Sequence, residues 1–452
     1  MHFELTKEYL EELKEIIEQK DEKKAKELME QLHAADIAEI YDDLSIDEAK
    51  FLFLLLDGDK AADVLAELED DDRERFMKVL PSEVIAKKFI DHMDSDDAAD
   101  VIADLPDERQ EEVLAHIDDM EQAGDIVDLL KYDEDTAGGL MAKELISVKE
   151  DWDVEKCIAE IRKQAGEIDE VFYVYVVDDD NVLKGVLSLK RLIIADSKKK
   201  VIDISNTDII SVKEDTPREE VANIAGKYDL VVLPVVDSLG RLVGRITIDD
   251  IVEVMQEEAE KDYQMVSGIT EDVEPGDKVW VLTRARLPWL LIGLFGGMLG
   301  AKVISIYEEP LAEFAAMAFF IPLIAAMGGN VGVQSSSIIV QALASHNEGL
   351  DSMFVRLLKE LAVALLNGII LSVLIFGLSY LFYDNMALSV SVSASLILVI
   401  VFASIFGTFV PLALDRFKID PALATGPFIT TVNDITGLFI YLSISQIIFS
   451  SF

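Results

Sequence analysis

The sequence has a single cysteine and few basic residues. Cys157 has no second cysteine to pair with, so an intramolecular disulfide is excluded, as is typical of a protein in a reducing cytosol. Lys and Arg number 40 against 86 Asp and Glu, which gives a formal net charge of −46. Such a surface repels nucleic acid and concentrates cations, so we expect no nucleic-acid partner.

Charged residues are scarce in the last third of the chain. From Leu287 onward, 5 Lys and Arg and 10 Asp and Glu occur in 166 residues, whereas residues 1–286 contain 35 and 76. A strongly acidic, water-soluble first part is therefore joined to an apolar last part.

Five apolar segments make up this last part, and each approaches or exceeds the roughly 20 residues that a membrane-spanning helix requires. We place them at about 287–306, 314–343, 361–383, 386–414 and 421–449. Basic residues flank the spans on one side: Arg284, Arg286, Arg356, Lys359, Arg416 and Lys418. By the positive-inside rule, we expect a multi-pass protein of the cell membrane with its acidic domains cytoplasmic and its carboxyl terminus outside.

Polar side chains cluster in the second span. Asn330 and Gln334 follow Pro322 and the pair Gly328-Gly329. We expect these glycines to interrupt the helix, because a break frees backbone carbonyls to face a cavity. Polar groups in lipid also join helices to one another, but for Asn330 and Gln334 we favour an ion pathway.

The fifth span contains one charged side chain, Asp434, near its middle. An ionised Asp at mid-bilayer costs at least roughly 2.5–3.5 kcal/mol and by default marks an ion or proton pathway. Helical spacing places Thr430, Gly437 and Tyr441 on the same face as Asp434. The alternative is an Asp that is hydrogen-bonded within the bundle, but the small and hydroxyl-bearing residues on its face favour a water-filled lining.

Residues 1–131 have helical periodicity throughout, with a recurring short pattern. Ala-Ala-Asp followed by an aliphatic residue begins at Ala34, Ala61 and Ala98. Imperfect repeats of 20–50 residues predict a helical superhelix in which each unit buries its apolar face on the next. Such domains usually serve as scaffolds or contact surfaces.

From about Asp133 the pattern changes to α/β units, and the chain contains an internal duplication. ISVKED occurs at Ile146–Asp151 and again at Ile210–Asp215, and Val174–Ile193 matches Leu233–Val252. These strand–turn–strand cores resemble a tandem pair of CBS domains. In that family a Thr-x-x-Asp after the last strand holds a ribose. Thr247 and Asp250 match it, whereas Ser188 and Arg191 in the first copy do not, so the resemblance implies at most one adenine nucleotide site, with ATP as a candidate ligand.

We therefore predict a multi-domain α+β membrane protein. Its domains are an all-α superhelical domain at 1–132, a tandem α/β CBS pair at 133–200 and 201–252, an acidic linker helix at 253–284 and a five-helix transmembrane domain at 285–452.

This domain order resembles the MgtE family of bacterial magnesium channels. The resemblance is strongest in Pro322–Ala344 and Asp420–Ser443, which are similar to the family's second-span and fifth-span signatures. It implies a homodimer with its pore on the two-fold axis, where two copies of Asp434 hold a largely hydrated Mg²⁺ and Gly426 and Thr430 line the same path. One departure is Val333, where the family commonly has Asn.

The resemblance also implies a sensor in which cytosolic Mg²⁺ bridges acidic side chains and holds the pore shut. The residues that it assigns to this role are Asp94, Asp97, Asp229, Asp249, Glu257, Glu258 and Asp420.

Three functions follow from these observations. The first is a Mg²⁺-selective import channel that cytosolic Mg²⁺ closes. The second is a proton-coupled transporter of another divalent cation such as Co²⁺ or Mn²⁺, and the third is a membrane-anchored CBS sensor of nucleotides. An enzyme is not expected, because the sequence shows no nucleophile–base set, phosphate loop or Cys/His cluster.

Overall fold

The computed structural model describes residues 5–164, 171–271, 273, 276–344, 353–424 and 426–451. It divides into two compact units, Met1–Gln256 and Glu257–Phe452. Each unit is described by itself.

Short amphipathic helices form the first part of the first unit. Helices α1 to α10 cover Lys7–Glu18, Glu22–Met29, Ala34–Tyr41, Ile46–Leu55, Gly58–Ala66, Asp70–Met77, Ser82–Lys88, Ser95–Ala103, Asp107–Leu114 and Met120–Leu129, with a 3₁₀ turn at Ile90–His92. Polar caps begin several of them. At α4, Ser45 and Glu48 form a reciprocal capping box that satisfies two backbone donors.

Hydrogen bonds between residues about 31 positions apart join successive repeats of these helices. Arg73 Nε donates to Asp104 Oδ2 at 2.7 Å, and Gln122 Nε2 donates to the carbonyl of Ile90 at 2.9 Å. The recurring spacing confirms the predicted superhelix, because each repeat is bonded to the next one along the chain.

Two small sheets with matching topology follow. Strands β1 to β6 are Ile146–Lys149, Tyr173–Val177, Leu183–Ser188, Val212–Lys213, Val232–Val236 and Leu242–Thr247. Helices α11 to α14 are Val154–Gln164, Leu189–Ile194, Val201–Ile204 and Arg218–Tyr228. In each sheet the first strand is parallel and the third antiparallel to the middle strand, with a register shift at Val176/Val177 and at Val235/Val236. The structure thus confirms the duplication read from the sequence.

The second copy of the duplication shares its core with the helical domain. Leu233, Val235 and Ile246 belong to the same buried apolar cluster as the residues of α1 to α10. The first copy has a separate core around Val148, Val174 and Leu187. This packing brings the start of α8 close to the end of β6, where acidic residues of both parts meet.

Helix α15, Ile248–Val266, follows β6, and its Ile251 and Val254 are buried in that shared core. The sequence Glu-Pro-Gly at 274–276 favours a turn, but residues 274 and 275 lie outside the described residues. In the second unit, helices α16 to α21 are Val279–Ile306, Glu308–Glu313, Ile321–Ala344, Met353–Tyr383, Met386–Arg416 and Gly426–Ser451, with 3₁₀ turns at Ala315–Phe320 and Pro421–Ala424.

Among the described residues, five helices are long and apolar enough to cross a membrane. Two of them start earlier than predicted, α16 at Val279 and α19 at Met353. The physical reason is that a helix continues past the hydrocarbon layer into the hydrated interface, where charged side chains are tolerated. As a result, Glu360 lies inside the third span, although the predicted span began one residue after it.

The predicted interruption of the second span is wrong. Helix α18 runs continuously from Ile321 to Ala344, so Gly328 and Gly329 do not break it. They are instead contact positions, because a Cβ at Gly328 would lie 3.2 Å from Val399 Cγ1 and one at Gly329 would lie 3.5 Å from Thr430 Cγ2. Small residues of this kind let membrane helices approach closely.

Candidate ion pathway and acidic cluster

Asp434 projects from α21 into a cavity of about 870 Å³. Thr430, one turn earlier, lines the same cavity, and Gly293 and Gly297 of α16 form part of the opposite wall. Within the described residues the Asp434 carboxylate has no hydrogen bond or ion pair. An ionised group in such a place needs water or a cation, so this cavity is suited to hold a positively charged ligand.

Helix α18 passes close to this carboxylate. A Cβ at Gly329 would lie 3.6 Å from Asp434 Oδ1, so the absence of a side chain there lets the two helices come together. Asn330, the next residue, and Gln334, one turn on, are exposed on α18. They do not line the cavity beside Asp434, but they form a polar strip on the same helix.

The predicted polar face of α21 is shorter than expected. Gly437 and Tyr441 are buried in the helix bundle, and the Tyr441 hydroxyl donates to the carbonyl of Met317 at 2.8 Å. Of the four residues predicted on this face, only Thr430 and Asp434 line the cavity, because the Tyr441 hydroxyl is bonded within the bundle.

Gly426 begins α21 with a left-handed backbone, φ +49°. A Cβ there would lie 2.4 Å from the carbonyl oxygen of Val266, and one at Gly268, φ +82°, would lie 2.6 Å from Pro427 Cγ. Gly426 is not among the residues that line the cavity. It makes a close backbone contact between the end of α15 and the start of α21.

A second acidic site lies in the first unit. Asp94, Asp96 and Glu144 each place one carboxylate oxygen within 4.8 Å of the others, and we call these three residues the acidic cluster. Asp94 occupies the N-cap position of α8, but its side chain makes no capping hydrogen bond. Simple capping therefore does not explain this carboxylate.

Ser95 fixes Glu144 in this cluster. Its backbone N–H donates to Glu144 Oε1 at 3.1 Å and its hydroxyl donates to Oε2 at 2.8 Å. The segment before β1 is thereby tied to the first turn of α8, so the carboxylates are held together despite their repulsion.

The surroundings of the acidic cluster favour protonation or cation binding. Burial, together with Asp250, Asp94 and Glu253, raises the pKa of Asp97 to about 7, and burial and Asp249 raise that of Asp250 to about 6. Asp97 is nevertheless an exposed residue, so water screens part of this repulsion. Arg245 Nη2 approaches Asp94 Oδ2 only at 3.9 Å.

The structure thus brings Asp94, Asp97 and Asp250 together, and it adds Asp96 and Glu144, which were not among the predicted sensor residues. Asp96 could have been found from its place in the acidic run at 91–97. Glu144 carries no sequence signal, because it lies 50 residues from Asp94.

The other predicted sensor residues are not part of the acidic cluster, although Asp249 lies beside Asp250. Asp229 is the left-handed C-cap of α14, and Asp249 accepts a hydrogen bond from the Thr247 hydroxyl. In the second unit, Glu257 and Glu258 lie on α15, and Asp420 Oδ1 accepts from the N–H of Ala422 at 2.8 Å. Their assignment as Mg²⁺ ligands remains a prediction.

The predicted nucleotide residues are bonded to each other. The Thr247 hydroxyl donates to Asp250 Oδ2 at 2.8 Å. Thr247 and Asp250 do not line the nearby cavity of about 340 Å³. The residues that line it include Tyr173, Tyr175 and Arg191, all from the first copy.

Sequence profiles of known families cover most of the chain. A profile described as "Divalent cation transporter" matches residues 321–444, one described as "MgtE intracellular N domain" matches 32–135, and the CBS domain profile matches 137–198 and 201–257.

Curated relatives match most of the chain. "Magnesium transporter MgtE" of Thermus thermophilus is 35% identical over 96% of this chain and 97% of its own length. The protein of the same name from Enterococcus faecalis is 36% identical over 72% of each chain.

Solved structures resemble the first part of the chain. The cytosolic domain of the Mg²⁺ channel MgtE, in complex with ATP, is 34% identical over 54% of this chain and 99% of its own, with a TM-score of 0.51. The soluble part of a magnesium transporter is 30% identical over 56% and 98%, with a TM-score of 0.50.

Proposed function

Because the chain belongs to the MgtE family of divalent cation transporters, we propose that it carries Mg²⁺ across the cell membrane along a path past Asp434. The observation that carries the proposal is an intramembrane carboxylate that lines a cavity and has no protein partner among the described residues. Mg²⁺ prefers oxygen ligands and keeps several waters. A cavity of about 870 Å³ leaves room for a hydrated ion beside one carboxylate.

A homodimer would complete this pathway. Asn330 and Gln334 are exposed in a single chain, and amides that face lipid leave hydrogen bonds unmade. A second copy packed against this strip of α18 would enclose the amides beside water. This uncovered polar strip, which passes next to Asp434 at Gly329, supports a pore between two subunits.

The acidic cluster is the proposed regulatory site. Its carboxylates come from the helical domain and from the segment before β1, and Asp250 of the second CBS copy adds negative charge. When no ion is bound, these groups repel one another, and a divalent cation between them removes the repulsion. Cytosolic Mg²⁺ would in this way hold the domains in one arrangement, which we propose is the closed one.

This assignment implies an orientation and a further ligand. The basic residues at the ends of the spans favour cytoplasmic amino-terminal domains and an external carboxyl terminus. The cytosolic domain of a relative was solved with ATP, and we propose that the CBS pair here also binds an adenine nucleotide. Thr247 and Asp250 remain the sequence-based candidates, while the cavity beside Tyr173 and Arg191 offers an aromatic surface and a positive charge for a base and a phosphate.

The test of the proposed transport is Mg²⁺ uptake by cells that lack other uptake systems. Asp434→Ala should abolish uptake, because the variant removes the carboxylate that attracts the ion. Glu309→Gln, an exposed carboxylate on α17, is the matched control and should import Mg²⁺ normally. Undiminished uptake by Asp434→Ala at equal expression would contradict the proposed pathway.

A further inference from the structure

A second carboxylate lies within the membrane bundle, away from the Asp434 cavity. Glu360 is seven residues after the start of α19, which places it roughly 10 Å along that helix. Ala364 and Gly368, one and two turns further, are buried, and a Cβ at Gly368 would lie 3.5 Å from Ile397 Cα of α20. Glu360 is therefore on the face of α19 that packs against α20, not on the face towards lipid.

Two serines from neighbouring helices contact the same oxygen of this carboxylate. Ser335 of α18 donates to Glu360 Oε1 at 2.7 Å, and Ser404 of α20 also donates to Oε1. The two serine hydroxyl oxygens are 3.1 Å apart. Ser335 is 5% and Ser404 1% exposed. We call Glu360, Ser335 and Ser404 the Glu360 site.

The Glu360 site has fewer hydroxyl protons than close contacts between its oxygen atoms. Each serine hydroxyl carries one proton and an ionised carboxylate carries none. Two protons are therefore available for three close oxygen–oxygen contacts. One contact remains between lone pairs, which repel each other unless a cation lies among the oxygens or a proton on Glu360 bridges them.

The charge of Glu360 is also uncompensated. In the part of the chain that the structure describes, its partners are the two serines, and no Lys, Arg or His forms an ion pair with it. Donated hydrogen bonds stabilise a carboxylate in its charged form, but they do not cancel its negative charge. Charged side chains in membrane helices are rare and usually pair with other groups, so a bound cation is a suitable partner for Glu360.

Further hydroxyls without partners lie next to this site along the helices. Ser336 follows Ser335 on α18, and Thr408 is one turn beyond Ser404 on α20. Both are buried, and among the described residues neither hydroxyl has a hydrogen-bond partner. Thr408 lies on the same face of α20 as Ser404, so its hydroxyl could contribute an additional oxygen to a cation.

We propose that Glu360, Ser335 and Ser404 form a binding site for a small monovalent cation, of which Na⁺ is the probe. One carboxylate balances one positive charge, and hydroxyl and carboxylate oxygens are ligands for hard cations. Mg²⁺ is less suited, because it gives up its waters reluctantly and both serines are almost fully buried. The bound ion joins α18, α19 and α20 and thereby fixes α18, whose other face carries Asn330 and Gln334.

The test is equilibrium binding of ²²Na⁺ to the full-length protein in lipid nanodiscs without Mg²⁺. The wild-type protein should bind Na⁺ saturably, and Glu360→Gln, which keeps the size and the acceptor oxygen but loses the charge, should bind it at least tenfold more weakly. Glu360→Asp should restore part of the affinity. Ser335→Ala/Ser404→Ala, which leaves the carboxylate in place, should also weaken binding, and this variant decides the question if Glu360→Gln does not fold.

Two controls separate this site from the transport pathway. Glu309→Gln should bind Na⁺ like the wild-type protein. Asp434→Asn should also retain Na⁺ binding even where it abolishes Mg²⁺ transport, so the two proposals can fail separately. Absence of saturable Na⁺ binding in the wild-type protein would overturn the inference. Unchanged binding by both Glu360→Gln and the double serine variant would do so as well, and so would a site that responds to pH but not to Na⁺, because Glu360 would then hold a proton.

Discussion

At the scale of single residues, Asp434 and the acidic cluster differ in what surrounds their charge. Asp434 stands alone beside a cavity, whereas Asp94, Asp96 and Glu144 crowd one another. A single carboxylate attracts a cation without removing its water shell, which suits conduction. Several carboxylates in contact hold a cation more tightly, which suits sensing.

The raised pKa values of Asp97 and Asp250 predict how stability depends on pH when Mg²⁺ is absent. Between about pH 4 and about pH 7, the folded protein keeps protons on these groups that the unfolded chain, with an ordinary value of 3.8, releases. The free energy of unfolding should therefore fall as pH rises through this window. We expect a loss on the order of 1 kcal/mol after allowance for the exposure of Asp97.

Thermal unfolding of the Mg²⁺-free full-length protein at pH 5 and pH 8 measures this effect. The midpoint should be higher at pH 5, and Mg²⁺ should raise it more at pH 8, because protons and Mg²⁺ compete for the same carboxylates. Asp97→Asn should reduce the dependence on pH. If the unfolding midpoint of the first unit instead rose from pH 5 to pH 8 without Mg²⁺, the pKa values of these carboxylates would not be raised in the folded protein.

Asp434 could be predicted because it is the only charge in a long apolar run. Glu360 could not, because Arg356 and Lys359 precede it and give the appearance of a loop. Whether a charge lies inside a span depends on how far the helix extends into the interface, and hydropathy does not record that. Glu144 was missed because tertiary packing alone brings it to α8.

At the scale of secondary-structure elements, patterns that repeat along the chain were predicted well. The duplicated strands pair in the same register, with the same shift near the end of β2 and β5. The continuity of α18 was not predicted, because a pair of glycines such as Gly328-Gly329 occurs both where a helix breaks and where two helices pack closely. Only the neighbouring helices decide between the two.

The close backbone contact between the end of α15 and the start of α21 predicts that a side chain at Gly426 will lower the stability of the protein. Gly426→Ala should destabilise the protein by at least about 1 kcal/mol, because a left-handed conformation is unfavourable for Ala and its Cβ would lie 2.4 Å from the carbonyl oxygen of Val266. Thermal unfolding of the full-length protein measures the change.

Gly377→Ala is the matched control for this joint. Gly377 lies inside α19, and nothing is within 4 Å of the Cβ that it would carry. Since Ala is a better helix former than Gly, this variant should be as stable as the wild-type protein or more so. Equal stability of Gly426→Ala and Gly377→Ala would show that the contact with Val266 is not tight.

At the scale of the whole molecule, charge is divided very unevenly. Residues 1–286 carry an excess of 41 negative charges, and the protein can hold so many only because most of them face water. The helical domain and the second CBS copy share one core, so repulsion at the acidic cluster acts against buried apolar contacts. Divalent cations would remove the repulsion without disturbing that core.

This balance predicts that Mg²⁺ protects the first unit from proteolysis. Limited digestion of the full-length protein should slow in millimolar Mg²⁺ and not in Na⁺ of equal ionic strength. Asp94→Asn combined with Asp97→Asn should lose most of the protection, whereas Asp107→Asn, an exposed residue in the first turn of α9, should keep it. Equal protection of all three proteins would place the regulatory ion elsewhere.

The most direct test of the proposed transport is Mg²⁺ flux into proteoliposomes that contain the purified protein at a clamped membrane potential. Flux through the wild-type protein should follow the Mg²⁺ gradient, should not change when a proton gradient is imposed, and should be lost in Asp434→Asn. If Asp434→Asn conducted Mg²⁺ as fast as the wild-type protein, the carboxylate would not belong to the pathway.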